Sequence, residues 1–181
     1  MRTSVFVGTS LDGFIARADG RMDWMSAGGG QDSGADHGYE AFIATVDALV
    51  IGRKTYETVL GFETWPYGGK LVFVLSTHEL APAPAGARVE RMSGPPDEIL
   101  SGLEARGIRH AYVDGGITIQ KFLRAGLIQR IIVSRLPVLI GSGIPLFGPT
   151  DADIALEHVV TRVYAKGLVQ SEYAVRGRVN G

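Results

Sequence analysis

The sequence predicts an α/β fold in which a mostly parallel central sheet is flanked by helices and closed by a C-terminal antiparallel hairpin. Residues 47–56 and 111–118 carry most of this prediction, because each is a short apolar strand that stops at glycine and turns directly into a helix. In a parallel sheet such turns bring helix N-termini and open backbone N–H groups to one edge. The hairpin is predicted by partial apolar alternation in 154–163 and 168–175, around Lys166-Gly167.

Length and composition predict one globular domain over residues 1–181. Of the 181 residues, 45% are apolar and 20% are charged, which allows a buried core and is unlike a disordered chain. The net charge is −1 and no block of like charge occurs, so we expect neither a nucleic-acid nor a membrane partner. Cysteine is absent, which excludes thiolate chemistry. With no leader pattern and no apolar run of membrane-spanning length, the sequence favours a cytoplasmic protein.

Apolar runs and turn residues predict the remaining elements. Strands are expected at 4–9, 71–75, 110–113 and 128–136, and helices at about 39–45, from about Lys54, from Pro96 and after Gly115-Gly116. The proline- and alanine-rich residues 81–87 predict a surface loop. Residues 17–34 are rich in Gly, Ser, Ala and Asp, which is too polar for core and typical of a lid, a binding loop or a disordered segment.

The first glycine-ended segment has the residue types of a phosphate site. Gly52 allows close backbone approach, and Thr55 lies at the start of a helix whose N-terminus favours an anion. Arg53 offers a fork of donors and Lys54 a point charge. Read alone, this segment is equally well explained as an exposed basic helix start, and Gly115-Gly116 as a tight turn. Both segments in this order, with a strand end between them, favour a dinucleotide clamp.

The segments SVFVGTSLDGFIA, DALVIGRKTYE, VFVLS and VDGGITIQKFL, with Trp24 between the first two, resemble the dihydrofolate reductase fold. The frame GGITIQKFLRAGLIQRIIVSRLPVLIGSGIPLF is more closely similar to the reductase domain at the C-terminus of bacterial riboflavin-biosynthesis deaminase–reductases. The resemblance runs from Ser4 to the final hairpin. It implies a dihydrofolate reductase-like fold and a nicotinamide cofactor, with NADPH favoured over NADH.

The resemblance also implies a role for each cofactor residue. The pyrophosphate and the adenosine 2′-phosphate would be held by Gly52, Arg53, Lys54 and Thr55, with the strand end Leu75, Ser76 and Thr77 near the same phosphate. The pyrophosphate and the nicotinamide ribose would pack against Gly115, Gly116, Ile117 and Thr118, and the nicotinamide pocket would be lined by Gly8 and Ile15. In folate reductases the glycines that match Gly115 and Gly116 are joined by a cis peptide.

Hydride transfer usually needs a proton source as well. Folate reductases keep one buried carboxylate on the helix that precedes the IGR strand. Counting back from Gly52 without gaps, Asp36 takes that position, and Asp32 and Glu40 are alternatives within a glycine-rich stretch. Asp36 has a second interpretation, because it also stands where an N-cap would open the next helix.

Three other residues are candidates with two interpretations each. Asp12 either faces the cleft or forms a turn with Gly13. Trp24 either covers a ligand or anchors its loop to the core. Asp114 bonds either a ribose or the backbone, and the backbone role is favoured. No carboxylate–histidine spacing resembles a metal site, so no metal is expected.

The activity implied by the resemblance is an NADPH-dependent reductase of a pyrimidine- or pterin-like substrate. In the closer group the substrate is 5-amino-6-(5-phosphoribosylamino)uracil, whose ribosyl side chain is reduced to ribityl. Two features depart from that group: the sequence has no deaminase half, and IGRKTYE is closer to folate reductases. The alternatives are therefore a dihydrofolate reductase, a reductase of another small substrate, and a non-catalytic NADPH-binding protein.

We also expect a homodimer. The predicted strand 128–136 and the following residues 137–140 are more apolar than a solvent-facing sheet edge should be. A second subunit would cover them, and the riboflavin-type domains that this chain resembles are dimeric.

Overall fold

An eight-stranded sheet forms the centre of the computed structural model, which describes residues 1–27 and 36–179. Its strands are β1 (Arg2–Thr9), β3 (Ala48–Gly52), β4 (Leu71–Leu75), β5 (Arg88–Met92), β6 (His110–Asp114), β7 (Arg130–Arg135), β9 (Asp153–Val163) and β10 (Val169–Val179). Two short strands, β2 (Phe14–Ala16) and β8 (Ile144–Pro145), pair with each other outside this sheet. The strand order is β5-β4-β3-β6-β1-β7-β10-β9.

Helices cover both faces of the parallel part of the sheet. They are α1 (Trp24–Ala27), α2 (Tyr39–Ala44), α3 (Arg53–Leu60), α4 (Pro96–Ala105) and α5 (Gly116–Arg124), with one 3₁₀ turn at Ala165–Gly167. Residues of α2 and α3 pack on one face of the sheet, and residues of α4 and α5 pack on the other. None of the helices within the described ranges is long and apolar enough to span a membrane.

Strand β3 shows why the apolar runs predicted central strands. It lies between β4 and β6, and both pairings are parallel. Ala48 and Val50 pack towards α4 and α5, whereas Leu49 and Ile51 pack towards α2 and α3. A strand covered on both faces needs apolar side chains at every position, so it loses the alternation of a half-exposed strand.

The predicted architecture is confirmed. Six strands, from β5 to β7 in the sheet order, are parallel, and β10 joins β7 in the antiparallel sense. β10 then pairs with β9 as the predicted C-terminal hairpin. The short pair β2–β8 was not predicted. The strand β5 was not predicted either, because it has charged and exposed residues at Arg88, Glu90 and Arg91.

The strand predicted at 128–136 differs from the observed strand in its length and in its place in the sheet. It is shorter, Arg130–Arg135, and β7 lies inside the sheet between β1 and β10. Its apolar character comes from burial inside the sheet, so the strand is not the exposed edge that the dimer prediction assumed. In the following residues 137–140, Leu139 is 69% exposed. The edge on this side of the sheet is β9, which exposes Leu156, Val159 and Val163.

Candidate functional site

The two glycine-ended turns lie side by side. β3 and β6 are neighbouring parallel strands with Ile51 opposite Asp114, so both chains leave the sheet at the same edge. α3 begins at Arg53, directly after Gly52, and α5 begins at Gly116, directly after Gly115. The N-termini of α3 and α5 therefore lie next to each other at this edge of the sheet, where their partial positive charges add.

Each glycine leaves room for a threonine of the other turn. A Cβ atom on Gly52 would lie 2.7 Å from the Thr118 hydroxyl oxygen, and one on Gly115 would overlap the Thr55 hydroxyl. Gly115 also has a φ of 93°, which side chains rarely tolerate. The turns thus interlock and hold the two helix starts at a fixed separation. We call the eight residues of these two turns the clamp: Gly52, Arg53, Lys54, Thr55, Gly115, Gly116, Ile117 and Thr118.

The exposed members of the clamp are cationic or apolar. Arg53 and Lys54 face solvent, and the Arg53 Nε donates to the Glu57 carboxylate over 2.7 Å across one helical turn. Ile117 is 57% exposed at the start of α5. No cis peptide bond occurs in the described part of the chain, so Gly115 and Gly116 are joined by a trans peptide, unlike the matching pair in folate reductases.

The strand end after β4 lies next to the clamp, since Leu75 is opposite Gly52 in the parallel pair β3–β4. The Ser76 hydroxyl is already bonded within its own turn, to the backbone of His78. Thr77 and His78 are exposed there. Of the predicted 2′-phosphate contacts on this strand end, Thr77 is therefore the exposed polar one, and its hydroxyl lies 3.1 Å from the His78 Nδ1.

The two residues predicted to line a nicotinamide pocket lie behind the clamp. A Cβ atom on Gly116 would be 2.9 Å from the Ile15 Cδ1, so α5 packs directly on β2. A Cβ atom on Gly8 would be 2.6 Å from the Met25 Cε. Gly8 is thus covered by α1, and Ile15 supports the start of α5.

Asp36 has the geometry of the capping alternative. Its exposed carboxylate accepts hydrogen bonds from the backbone N–H of Glu40 over 2.8 Å and of Gly38 over 3.1 Å. These two bonds lower the pKa of Asp36, so it is ionised at neutral pH. The buried proton donor that the resemblance implied does not correspond to this side chain. Glu40 is exposed as well, and Asp32 lies outside the described residues.

Asp12 and Trp24 have structural positions. The Asp12 carboxylate is exposed and accepts the backbone N–H of Gly141 over 2.8 Å, which ties the end of β1 to the loop before β8. Trp24 is 2% exposed and packs with Leu136 and Leu168. The expectation that residues 17–34 contribute nothing to the core is therefore wrong at Trp24. Its indole N–H is buried and finds no hydrogen-bond partner among the described residues.

The carboxylate best placed for proton transfer is Asp114, the last residue of β6. It is half-buried, and it accepts the backbone N–H of Gly115 over 2.7 Å. Burial raises the pKa of Asp114 to about 6, and the Gly115 N–H and the Tyr67 hydroxyl limit this rise. The predicted backbone bond is present, but the raised pKa was not foreseen. The feature that could have indicated the raised pKa was a carboxylate at the end of a fully buried strand.

Three tyrosines surround this carboxylate. Burial and the Asp114 charge together raise the pKa of Tyr39 to about 12 and that of Tyr67 further, so both hydroxyls are neutral. The Tyr112 hydroxyl donates to the Phe6 carbonyl oxygen over 2.6 Å. Asp114 can therefore exchange a proton near neutral pH, whereas the tyrosines cannot. Within the described residues, no cluster of His, Asp and Glu is arranged to hold a metal ion.

The mostly parallel sheet, its flanking helices and its antiparallel C-terminal hairpin form an α/β protein with the dihydrofolate reductase fold. An enterococcal dihydrofolate reductase bound to NADP(H) matches it with a TM-score of 0.63 at 18% identity, over 99% of this chain and 97% of that chain. At this identity the likeness concerns the fold alone.

The family follows from the sequence itself. The model of the RibD C-terminal domain matches residues 79–170, which is just over half of the chain. The chain therefore belongs to the RibD C-terminal domain family, whose fold is that of the riboflavin-pathway reductases. The predicted resemblance to this family is confirmed.

Two relatives match over nearly their whole length. The crystal structure of a putative riboflavin biosynthesis protein from Shewanella sp. PV-4 is similar with a TM-score of 0.90 and 38% identity, over 97% of this chain and 99% of that chain. The uncharacterized protein YwjB of Bacillus subtilis is 30% identical, over 95% of this chain and 97% of its own.

The interlocked turns give a testable prediction about stability. Gly52→Ala should destabilise the protein by about 1–3 kcal/mol, because the new methyl group overlaps the Thr118 hydroxyl. In a Thr118→Ala background the same change should cost at least about 1 kcal/mol less. Urea denaturation of the four proteins measures this coupling. Gly69→Ala is the control, since nothing lies within 4 Å of its Cβ position. Additive costs of the two substitutions would contradict the interlock.

Proposed function

We propose that this protein is an NADPH-dependent reductase of a pyrimidine- or pterin-like substrate, acting in the cytoplasm. The observation that carries the proposal is the position of Asp114, a half-buried carboxylate with a pKa of about 6 that directly precedes Gly115 of the clamp. An anion-binding edge and a titratable acid are thus one residue apart. A protein that only binds a nucleotide has no need of that acid.

The clamp fits a phosphorylated dinucleotide. The two helix N-termini favour a pyrophosphate, and Arg53, Lys54 and Thr77 are exposed where an additional phosphate is expected to lie. The enterococcal dihydrofolate reductase, which has a similar fold, is bound to NADP(H), and this supports the same class of cofactor here. In this arrangement Arg53 exchanges its bond with Glu57 for a bond with the 2′-phosphate.

A tyrosine near Asp114 supports a planar substrate. Tyr39 is the partly exposed tyrosine near Asp114, whereas Tyr67 and Tyr112 are buried, and a flat heterocycle packs well against such a ring. Among such substrates we favour 5-amino-6-(5-phosphoribosylamino)uracil. Membership of the RibD C-terminal domain family and the name of the Shewanella relative support this choice. Dihydrofolate is the second candidate, because the IGRKTYE segment resembles folate reductases.

The chemistry needs one hydride and one proton. When bound, the nicotinamide supplies the hydride. The chain's own residues orient the substrate against Tyr39, and protonated Asp114 donates the proton to the substrate atom that does not receive the hydride. Its raised pKa keeps a useful fraction of this acid protonated near neutral pH.

We further propose a homodimer formed through β9 rather than β7. This edge strand exposes Leu156, Val159 and Val163, whereas the opposite edge, β5, exposes charged residues that discourage pairing.

Asp114→Asn should reduce turnover of the aminouracil substrate, or of dihydrofolate, by about 100-fold or more while leaving NADPH affinity within about threefold. Wild-type turnover should fall as pH rises through about 6, because the donor is the protonated acid. NADPH oxidation followed at 340 nm from pH 5 to 8 measures both effects. Tyr56→Phe is the control, since that hydroxyl donates to the Ala81 carbonyl oxygen instead.

The same variant has a signature in stability. The pKa of Asp114 is raised on folding, so its contribution to stability is present below pH 4 and is lost as pH rises through about 6. Asp114→Asn should therefore gain stability relative to the wild type between pH 4 and pH 8. If the urea midpoints of the two proteins differ by the same amount at every pH, Asp114 is not the titrating group.

The activity measurement has its own contrary outcome. Tight NADPH binding without turnover of either substrate would favour a non-catalytic binding protein.

Arg53→Ala should weaken NADPH binding by about 10- to 100-fold and NADH binding much less, because only NADPH carries the 2′-phosphate. Fluorescence titration of the two cofactors gives both dissociation constants. Glu57→Gln is the matched control: it removes the carboxylate that competes for Arg53, so NADPH should bind equally well or better. Equal losses for NADPH and NADH in Arg53→Ala would remove this role.

The dimer prediction is checked by light scattering after gel filtration. We expect twice the 19.3 kDa chain mass for the wild type and a monomer for Val159→Asp. Arg91→Asp, on the opposite edge, should stay dimeric. A monomeric wild type at about 50 μM would contradict the proposal.

A further inference from the structure

A groove separates α2 from the C-terminal hairpin, away from the clamp. Helix α2 has six residues and packs on the middle of the sheet, where the Phe42 ring meets the rings of Phe6 and Tyr112 at 5.1 Å. Beyond it, the same face of β7, β10 and β9 encloses a cavity of about 320 Å³. Its lining contains no clamp residue, and it includes Arg130, Ile132, Arg162, Tyr164, Gln170 and Glu172 on the strand side.

The charges in this groove do not balance. Arg130 donates two hydrogen bonds to Glu172, over 2.7 and 2.9 Å, and both side chains are largely buried. This pair accounts for the one carboxylate of the lining. Arg162 lies on the neighbouring strand β9, where its side chain is exposed and attracts Glu172 electrostatically. Its guanidinium makes no hydrogen bond or ion pair with any residue of the described ranges. The described lining residues therefore carry one net positive charge, that of the Arg162 guanidinium.

The rest of the lining is mostly apolar and aromatic. Phe6, Phe42 and Tyr164 contribute rings, and Ala41 and Ile132 contribute aliphatic surface. The polar side chains are bonded within the protein: the Gln170 amide donates to Ser134 and to the His37 carbonyl oxygen, and the Thr45 hydroxyl donates to the Phe42 carbonyl oxygen. Among the described lining residues, Arg162 is thus the arginine whose guanidinium is not already paired with a carboxylate.

We propose that this groove binds an aromatic carboxylate, with the ring against the half-buried Tyr164 and the carboxylate on Arg162. A planar carboxylate matches the fork of a guanidinium, and its single charge matches the single excess charge. A phosphate monoester carries almost two charges and is matched less well. The aromatic lining stabilises a bound ring, but it adds no binding free energy for a small anion that has no ring.

The test uses benzoate as the probe, with NADPH present at saturation so that the clamp is occupied. Two other compounds separate the two parts of the site: acetate has the charge without the ring, and benzyl alcohol has the ring without the charge. Titration of ¹⁵N-labelled protein, followed by NMR, gives affinity and location together. We expect saturable shifts at Ala41 and Thr45 with benzoate, and at least about tenfold weaker binding of acetate and of benzyl alcohol.

Arg162→Gln should weaken benzoate binding at least about tenfold. Arg176→Gln is the matched control, because Arg176 is an exposed arginine of the same hairpin that pairs with Glu157. It should bind benzoate as the wild type does. The proposal is overturned if benzoate does not saturate, if its shifts lie elsewhere, if acetate binds equally well, or if both variants lose binding to the same extent.

Discussion

The structure depends on the close approach of two strand ends. β3 and β6 leave the sheet side by side, and two helices must start within the width of one strand pair. This is possible because Gly52 and Gly115 have no side chain, and each of them accommodates a threonine hydroxyl of the other turn. A larger residue at either place would push the helix starts apart, and with them the positive ends of the two helices.

This packing also determines the properties of Asp114. The residue that precedes the second glycine must end a fully buried strand, so its carboxylate loses part of its hydration and its pKa rises. The Gly115 N–H and the Tyr67 hydroxyl oppose this effect without cancelling it. One local arrangement thus places two helix N-termini beside an acid that exchanges protons near neutral pH. The buried acid is disfavoured in its charged form, so the proposed proton transfer and the stability of the fold oppose each other at this position.

The fold could be predicted from the sequence because its signals are local. Unbroken apolar runs such as 48–51 and 71–75 mark strands covered on both faces, and glycine directly after such a run marks the turn into a helix. Tertiary position was harder to predict. Residues 131–133 are apolar because β7 lies inside the sheet between β1 and β10, which no local pattern reveals. β5 was missed because an edge strand with Arg88, Glu90 and Arg91 resembles a loop. Counting residues led to Asp36, whereas burial, which depends on the whole fold, points to Asp114.

We propose that the interlocked turns bind one dinucleotide through both helix N-termini. The direct test is a crystal structure of the protein soaked with NADP⁺. We expect pyrophosphate oxygens within hydrogen-bond distance of backbone N–H groups at the starts of both α3 and α5, with the 2′-phosphate on Arg53. The nicotinamide ring is expected on the side of Asp114. A dinucleotide bound through one turn alone, or elsewhere on the sheet, would show that the two turns do not form one cofactor site.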